Sequence, residues 1–314
     1  HVKGASEKSG GISFRPNKND SSITGSDLTI KFKGDNRFGN VFYLSDKKDS
    51  TGSPTNHIIL KGDTDATLTV ANLATEEDTN YWRSAIGGDD GTAYARGIVI
   101  ESGTIFAGTT AADDCTAIGG GGNGFGDVTI NGGTVTAVCT SSGAAIGGGI
   151  GKTSNGGAAN VTITGGNTYA YNFSCSSGTY SQAGVKYIPA AAIGGGSSAQ
   201  AVCSDSTVTI TGGTVYAQSV GGTAIGGGSS ADNNGGTATI NIGGNAIVYA
   251  KSIAGFINGQ DVPAGAAIGG GTGGKGGHFT DSKGNPVEKI GNGGNATINI
   301  YGNAQVYTGS MGGG

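Results

Sequence analysis

Proline is scarce in this chain, five in 314 residues, and charged residues make up only 13% of it. The 66 glycines follow no Gly-X-Y period, and with so little proline they cannot form a collagen triple helix. The low charge excludes a self-repelling disordered tail. Hydrophobic residues reach only 35%, too few for a thick globular core, and no apolar run approaches the roughly 20 residues of a membrane span. The net charge is -4 with no basic block, which removes nucleic acid as an expected partner. No nucleophile elbow, P-loop or HExxH stretch occurs. The four cysteines, Cys115, Cys139, Cys175 and Cys203, form no CxxC pair and sit near no histidine, so a zinc site is not expected. Nothing shows a 3.6-residue period, and each glycine would cost about 1 kcal/mol in a helix.

What is present is repetition. Six segments share one phrase: RSAIGGDDG, TAIGGGGNG, AAIGGGIGK, AAIGGGSSA, TAIGGGSSA and AAIGGGTGG, anchored on Ile86, Ile118, Ile146, Ile193, Ile225 and Ile268. A second phrase follows each, typified by DVTINGGTVTAV and TVTITGGTVYAQ. Its apolar residues alternate, as in Val128 and Ile130 against Thr129 and Asn131, and a period of two means strands. Each unit therefore reads as a short AIGGG strand, a loop, a V-T-I strand, a Gly-Gly corner and a T-V-Y-A strand. Units of about 30 residues with three strands and three bends predict a parallel β-helix, with insertions at two corners. In that frame isoleucine is the core ladder, alanine the spacer and glycine the bend. An antiparallel sandwich is the rival fold, but identical phrases stack in register most naturally when parallel.

Residues 1–82 hold most of the lysines and the strand-like stretches SDLTIKFKG, HIILKG and ATLTVANL. They read as an N-terminal cap of irregular β coils, continuous with the solenoid or engaging a neighbour, before an AIGGG-repeat β-helix over 83–314. The last repeat strand, NAQVYTGSMGGG, reads as uncapped.

The pairing of AAIGGG with VTITGGTVYA, after LTIKFKGDN, resembles the Gly-rich repeats of secreted surface proteins of clostridia and related Gram-positive bacteria. Such proteins are often described as adhesin-like or carbohydrate-binding. The resemblance covers roughly 84–314 and, more weakly, 20–80. It implies a β-helix outside the cell and transfers no catalytic residue.

Several features could carry function. Aligning T-V-Y-A gives an outward column of Phe106, Thr136, Tyr169, Tyr216, Tyr249 and Tyr307, although NAIVYAK leaves the parity at Tyr249 ambiguous. Such a stripe can be a platform for sugar rings, a subunit contact or a ladder that only stabilises the sheet. The V-T-I strands offer an outward ladder of paired residues: Thr129 with Asn131, Thr162 with Thr164, Thr209 with Thr211, Thr239 with Asn241 and Thr297 with Asn299. Long insertions at 171–190 and 251–265 share one corner, and the first carries Tyr171, Phe173, Tyr180 and Tyr187. Insertions on one solenoid edge commonly bind. Two acid pairs, Asp89 with Asp90 and Asp113 with Asp114, are the candidates for calcium, the one cofactor considered, although the Gly-Gly-x-Gly-x-Asp nonapeptide is absent. No glycosidase carboxylate pair stands out. An even cysteine count in a chain rich in Gly, Ser, Thr and Asn suggests disulfides and an extracellular address. Cys115 and Cys139 read as the same corner of successive coils, which predicts a Cys115–Cys139 bridge and leaves Cys175–Cys203, with Cys139–Cys175 competing.

These readings lead to a non-catalytic extracellular protein of the cell surface, whose partners are copies of itself in a filament, sheath or surface layer. A cell-surface adhesin or carbohydrate-binding module is the alternative, and a polysaccharide-active enzyme stands third.

Overall fold

The computed structural model describes residues 11–14, 27–43, 57–72, 84–88, 95–109, 116–151, 155–174, 188–198, 201–231, 233–257, 260–273, 279–280, 286–287 and 291–311. Over these residues the chain is a parallel β-helix with no α-helix. Three eight-stranded parallel sheets run along it, and one strand from each makes a coil, giving eight coils.

The first sheet holds the Ile-Gly dyads Ile86–Gly87, Ile118–Gly119, Ile146–Gly147, Ile193–Gly194, Ile225–Gly226 and Ile268–Gly269, preceded by Gly11–Phe14 and Asn40–Tyr43. The second holds Leu28–Phe32, Ile58–Gly62, Ala95–Ser102, Gly126–Ile130, Ala159–Ile163, Ser206–Ile210, Ala238–Ile242 and Ala296–Ile300. The third holds Asp35–Phe38, Thr67–Asn72, Thr104–Thr109, Thr134–Cys139, Asn167–Asn172, Thr214–Val220, Ile247–Ile253 and Gln305–Met311. Ile193 pairs with Ile225 in parallel, and the other dyads do likewise, so the antiparallel sandwich does not form.

Alternation places one face of every strand inside. Val128, Ile130, Val161, Ile163, Val208 and Ile210 are fully buried, as are the anchors Ile118, Ile146, Ile193 and Ile225. The alanines preceding those anchors, Ala117, Ala145, Ala192 and Ala224, are buried too, small enough to fit the narrow interior beside them. Burying an isoleucine contributes roughly 1.5–3 kcal/mol, so a core one side chain deep suffices when each coil adds several.

Glycine is required at the bends for two separate reasons. Gly119, following its anchor, sits at φ +140, and a Cβ there would lie 2.0 Å from the Gly147 carbonyl oxygen of the next coil. Gly133, at the corner between the second and third strands, sits at φ +81. A side chain at the first site has neither the backbone conformation nor the space.

The described strands of residues 1–82 form the first two coils. Val41 pairs with Ile86, Ile58 with Ile98 and Leu68 with Ile105, so the sheets continue across residue 82. The Phe32 ring fills the corner against Gly62 and Gly103, whose missing side chains leave it room. Two antiparallel hairpins lie inside insertions, Gly255–Ile257 with Gln260–Val262 and Phe279–Thr280 with Pro286–Val287. Phe173, Val220, Ile253 and Val262 form a small apolar cluster, which packs the insertion corner of one coil on the next.

Candidate functional site: the tyrosine ladder and the open coil

The third sheet resolves the parity question. Phe106, Thr136, Tyr169, Tyr216, Tyr249 and Tyr307 are consecutive register partners, in a column that begins with Arg37 and Thr69. Their neighbours Val135, Val215 and Val248 point inward and are buried. From Tyr169 onward the rings are nearly parallel. Tyr169 and Tyr216 have centroids 5.1 Å apart at 2°, Tyr216 and Tyr249 4.7 Å at 4°, and Tyr249 and Tyr307 4.9 Å at 11°.

That geometry decides what the rings can offer. Stacked at the strand spacing, each inner ring has its faces covered by its neighbours and presents mainly its edge and hydroxyl. A sugar platform needs bare faces, and the outward face of Tyr307, half exposed, is one. Beside the ladder lies an open groove of about 320 Å³ lined by Tyr171, Tyr216, Gln218, Tyr249, Lys251 and Tyr307. Tyr171, Gln218 and Lys251 form the next outward column of the same sheet. Tyr171 also lies parallel to Phe173, 5.8 Å away. Tyr180 and Tyr187 lie outside the described residues.

The threonine ladder is shifted from the expected register in its last two coils. Val208 pairs with Ile240, so Thr207 faces Thr239 and Thr209 faces Asn241. The A-T-I-N-I strands slide by one alternation relative to V-T-I-T because their inward pair is Ile-Ile, placed after the threonine. Polar groups in these columns bond to one another across coils. Asn299 donates to Asn241 at 2.8 Å, Thr164 to Asn131 at 2.9 Å and Asn160 to Asp127 at 3.1 Å.

The expected Cys115–Cys139, Cys175–Cys203 and Cys139–Cys175 bridges each use a residue outside the described ones. Among the described residues there is no disulfide, and Cys139 and Cys203 are buried thiols. The register partners of Cys139 are Thr109 and Asn172. Cys203 pairs through its backbone with Gly156 at the other corner, away from that of Cys139. Cys115 and Cys175 themselves lie outside the described residues. Instead Cys139 occupies a buried polar column with Thr109, Asn172, Ser219 and Ser252. Its Sγ donates to the Ser141 and Gly143 carbonyls at 3.3 and 3.1 Å. Asn172 donates to Gly143, Ser219 to Ala190 and Ser252 to Gly222, each tying a corner carbonyl. Sequence alternation marks these positions as inward but not that their task is to hold the corner. Cys203 donates to the Ser229 carbonyl at 3.1 Å, and burial pushes its thiol up to about 12.

The four acidic residues expected to hold calcium, Asp89, Asp90, Asp113 and Asp114, all lie outside the described residues. Among the residues described, no group of three His, Cys, Asp or Glu could hold a metal ion. Described carboxylates instead link neighbouring coils: Asp27 to His57, Asp63 to Lys33 and Glu101 to Lys61.

In the last described coil the inward columns are less covered than in the coils before it. Ile298 and Ile300 are 44% and 55% exposed, whereas Ile240 and Ile242, one coil earlier in the same columns, are fully buried. Tyr301, Tyr307 and Met311 join them as exposed apolar side chains. Comparison of the chain with family models, with characterised proteins and with solved structures found no match.

Proposed function

We propose that this chain is a non-catalytic extracellular structural protein whose solenoids stack end to end into a filament, sheath or surface layer of the cell. The observation that carries the reading is the packing of coil on coil in one register through three parallel sheets, with an outward stripe of stacked rings at Tyr169, Tyr216, Tyr249 and Tyr307 along it. A coil of a second copy extends that packing with no new kind of contact, and a head-to-tail contact along one axis propagates without closing. The extracellular address rests on the Ser/Thr/Asn-rich composition and on the resemblance to secreted repeats.

Sedimentation velocity on the purified chain tests this reading. Mass should grow in steps of one copy as concentration rises. A wild-type chain that stays monomeric at every concentration reached would refute it.

The groove beside the ladder favours a second reading, a cell-surface adhesin that holds a polysaccharide chain against Tyr171, Tyr216 and Lys251. Retardation in native gels containing polysaccharide, abolished by Lys251→Glu and Tyr171→Ala without loss of assembly, would support it.

A further inference from the structure

We infer that the tyrosine ladder is a covalent modification site: a peroxidase with hydrogen peroxide couples neighbouring ladder rings into dityrosine, which staples consecutive coils of one chain. This rests on stacking within the solenoid and does not require the end-to-end reading.

Register supplies the partners. Tyr169, Tyr216, Tyr249 and Tyr307 follow one another coil by coil. Parallel neighbours place their backbones about 4.8 Å apart. The ring centroids keep that spacing, at 5.1, 4.7 and 4.9 Å, with planes within 11° of parallel. Each ring therefore reaches the next without any movement of the strands. The rings stand on the outward side, because Val215 and Val248 beside them are the buried residues. Two ring edges can lean together there without disturbing the core. Tyr249, in an internal coil, is 37% exposed and gives the oxidant its entry. The run has a definite start, since the partner of Tyr169 in the preceding coil is Thr136 and the one before that is Phe106, which has no hydroxyl.

The chemistry balances with the named oxidant. Each phenol gives up one electron and its hydroxyl proton and becomes a tyrosyl radical, with the unpaired electron shared between the oxygen and the ring carbons ortho to it. Two radicals on adjacent rings join through a carbon–carbon bond between ortho carbons. The hydrogen on each of those carbons leaves as a proton, and each oxygen regains one. Two electrons and two protons are lost in all, and one hydrogen peroxide takes them and becomes two waters. Tyr171 provides a contrast on the same sheet. Its register partners are Val138 and Gln218, and its ring stacks on Phe173, so it has no phenol to couple with in a neighbouring coil.

Peroxidase and hydrogen peroxide, applied to the dilute folded chain, test the assignment. Monomer is recovered under denaturing conditions, digested, and its cross-linked peptides are read by mass spectrometry. The links should join Tyr216 to Tyr249, Tyr169 to Tyr216 and Tyr249 to Tyr307, each product two hydrogens lighter, with Tyr171 left unlinked. The same treatment in urea should spread links over the 11 tyrosines of the chain. Tyr249→Phe keeps a ring in the stack but removes the phenol. It should retain the Tyr169–Tyr216 link and lose every link to Tyr307. The oxidised wild type should unfold at a higher urea concentration than the untreated chain, because a cross-link restricts the unfolded state. A folded monomer without dityrosine, links chiefly between chains, or a pattern equal to that in urea would overturn the assignment. So would Tyr307 links that survive Tyr249→Phe, and an unshifted urea midpoint would overturn the stapling.

Discussion

Cys203 shows how far a single residue's environment departs from what its type suggests. It sits in the corner after an AIGGG strand, donates to the Ser229 carbonyl, and burial pushes its thiol from about 9 to about 12. The folded state thus holds its proton where the unfolded state releases it. A group whose folded value lies above its unfolded value contributes stability that is complete below the lower value and is lost as pH rises. Unfolding free energy should therefore fall between about pH 9 and 12, by up to about 1.4 kcal/mol per pH unit from this group. Urea titrations across that window should show the slope, and Cys203→Ala should flatten it. A slope equal in both proteins would show that other groups cause it. The same burial keeps the thiol unreactive in the folded protein. Cysteine count and composition suggested bridges, each involving Cys115 or Cys175, but did not show that Cys139 stacks on Thr109 and Asn172.

The tyrosine column belongs to the scale of the element. Tyr216 lies between two rings, Tyr169 and Tyr249, and stacked pairs contribute about 0.5–1.5 kcal/mol each beyond their burial. Tyr216→Ala should destabilise the solenoid by about 1–3 kcal/mol, the sum of its two stacked pairs, and Tyr307→Ala, with one ring neighbour, by about half as much. Denaturant midpoints measure both. A Tyr216→Ala chain as stable as the wild type would mean that the stack contributes nothing to the sheet. The column itself was legible in the sequence because T-V-Y-A recurs with its corner glycines at a constant offset. The strands of the first two coils were less so, since Leu28–Phe32 and Ile58–Gly62 carry lysines and lack the AIGGG dyad, yet their alternation is the same. The slide of Thr239 against Thr207 was hidden because T-I-N-I and V-T-I-T can be aligned by their polar residues, and only the inward isoleucines decide the register. The buried column of Asn172, Ser219 and Ser252 was hidden for a related reason. Alternation says which side faces in but not that the end of the strand faces corner carbonyls.

At the scale of the whole molecule the chain is a column of nearest-neighbour contacts. Every internal coil is buried between two others. The first coil is built differently, with Lys31 and Arg37 at its edge and Asn36 at the inward position opposite Leu68, bonded to the Lys33 and Gly34 carbonyls. In the proposed assembly, growth along the axis needs no new kind of contact, because each junction repeats the packing of one coil on the next.

Cryo-electron microscopy of the assembled protein tests this account most directly. It predicts filaments in which the strands lie across the axis in layers about 4.8 Å apart, with the layers continuing unbroken from one copy into the next. Solenoids lying side by side, or a junction at which the strands of neighbouring copies run in opposite directions, would contradict it.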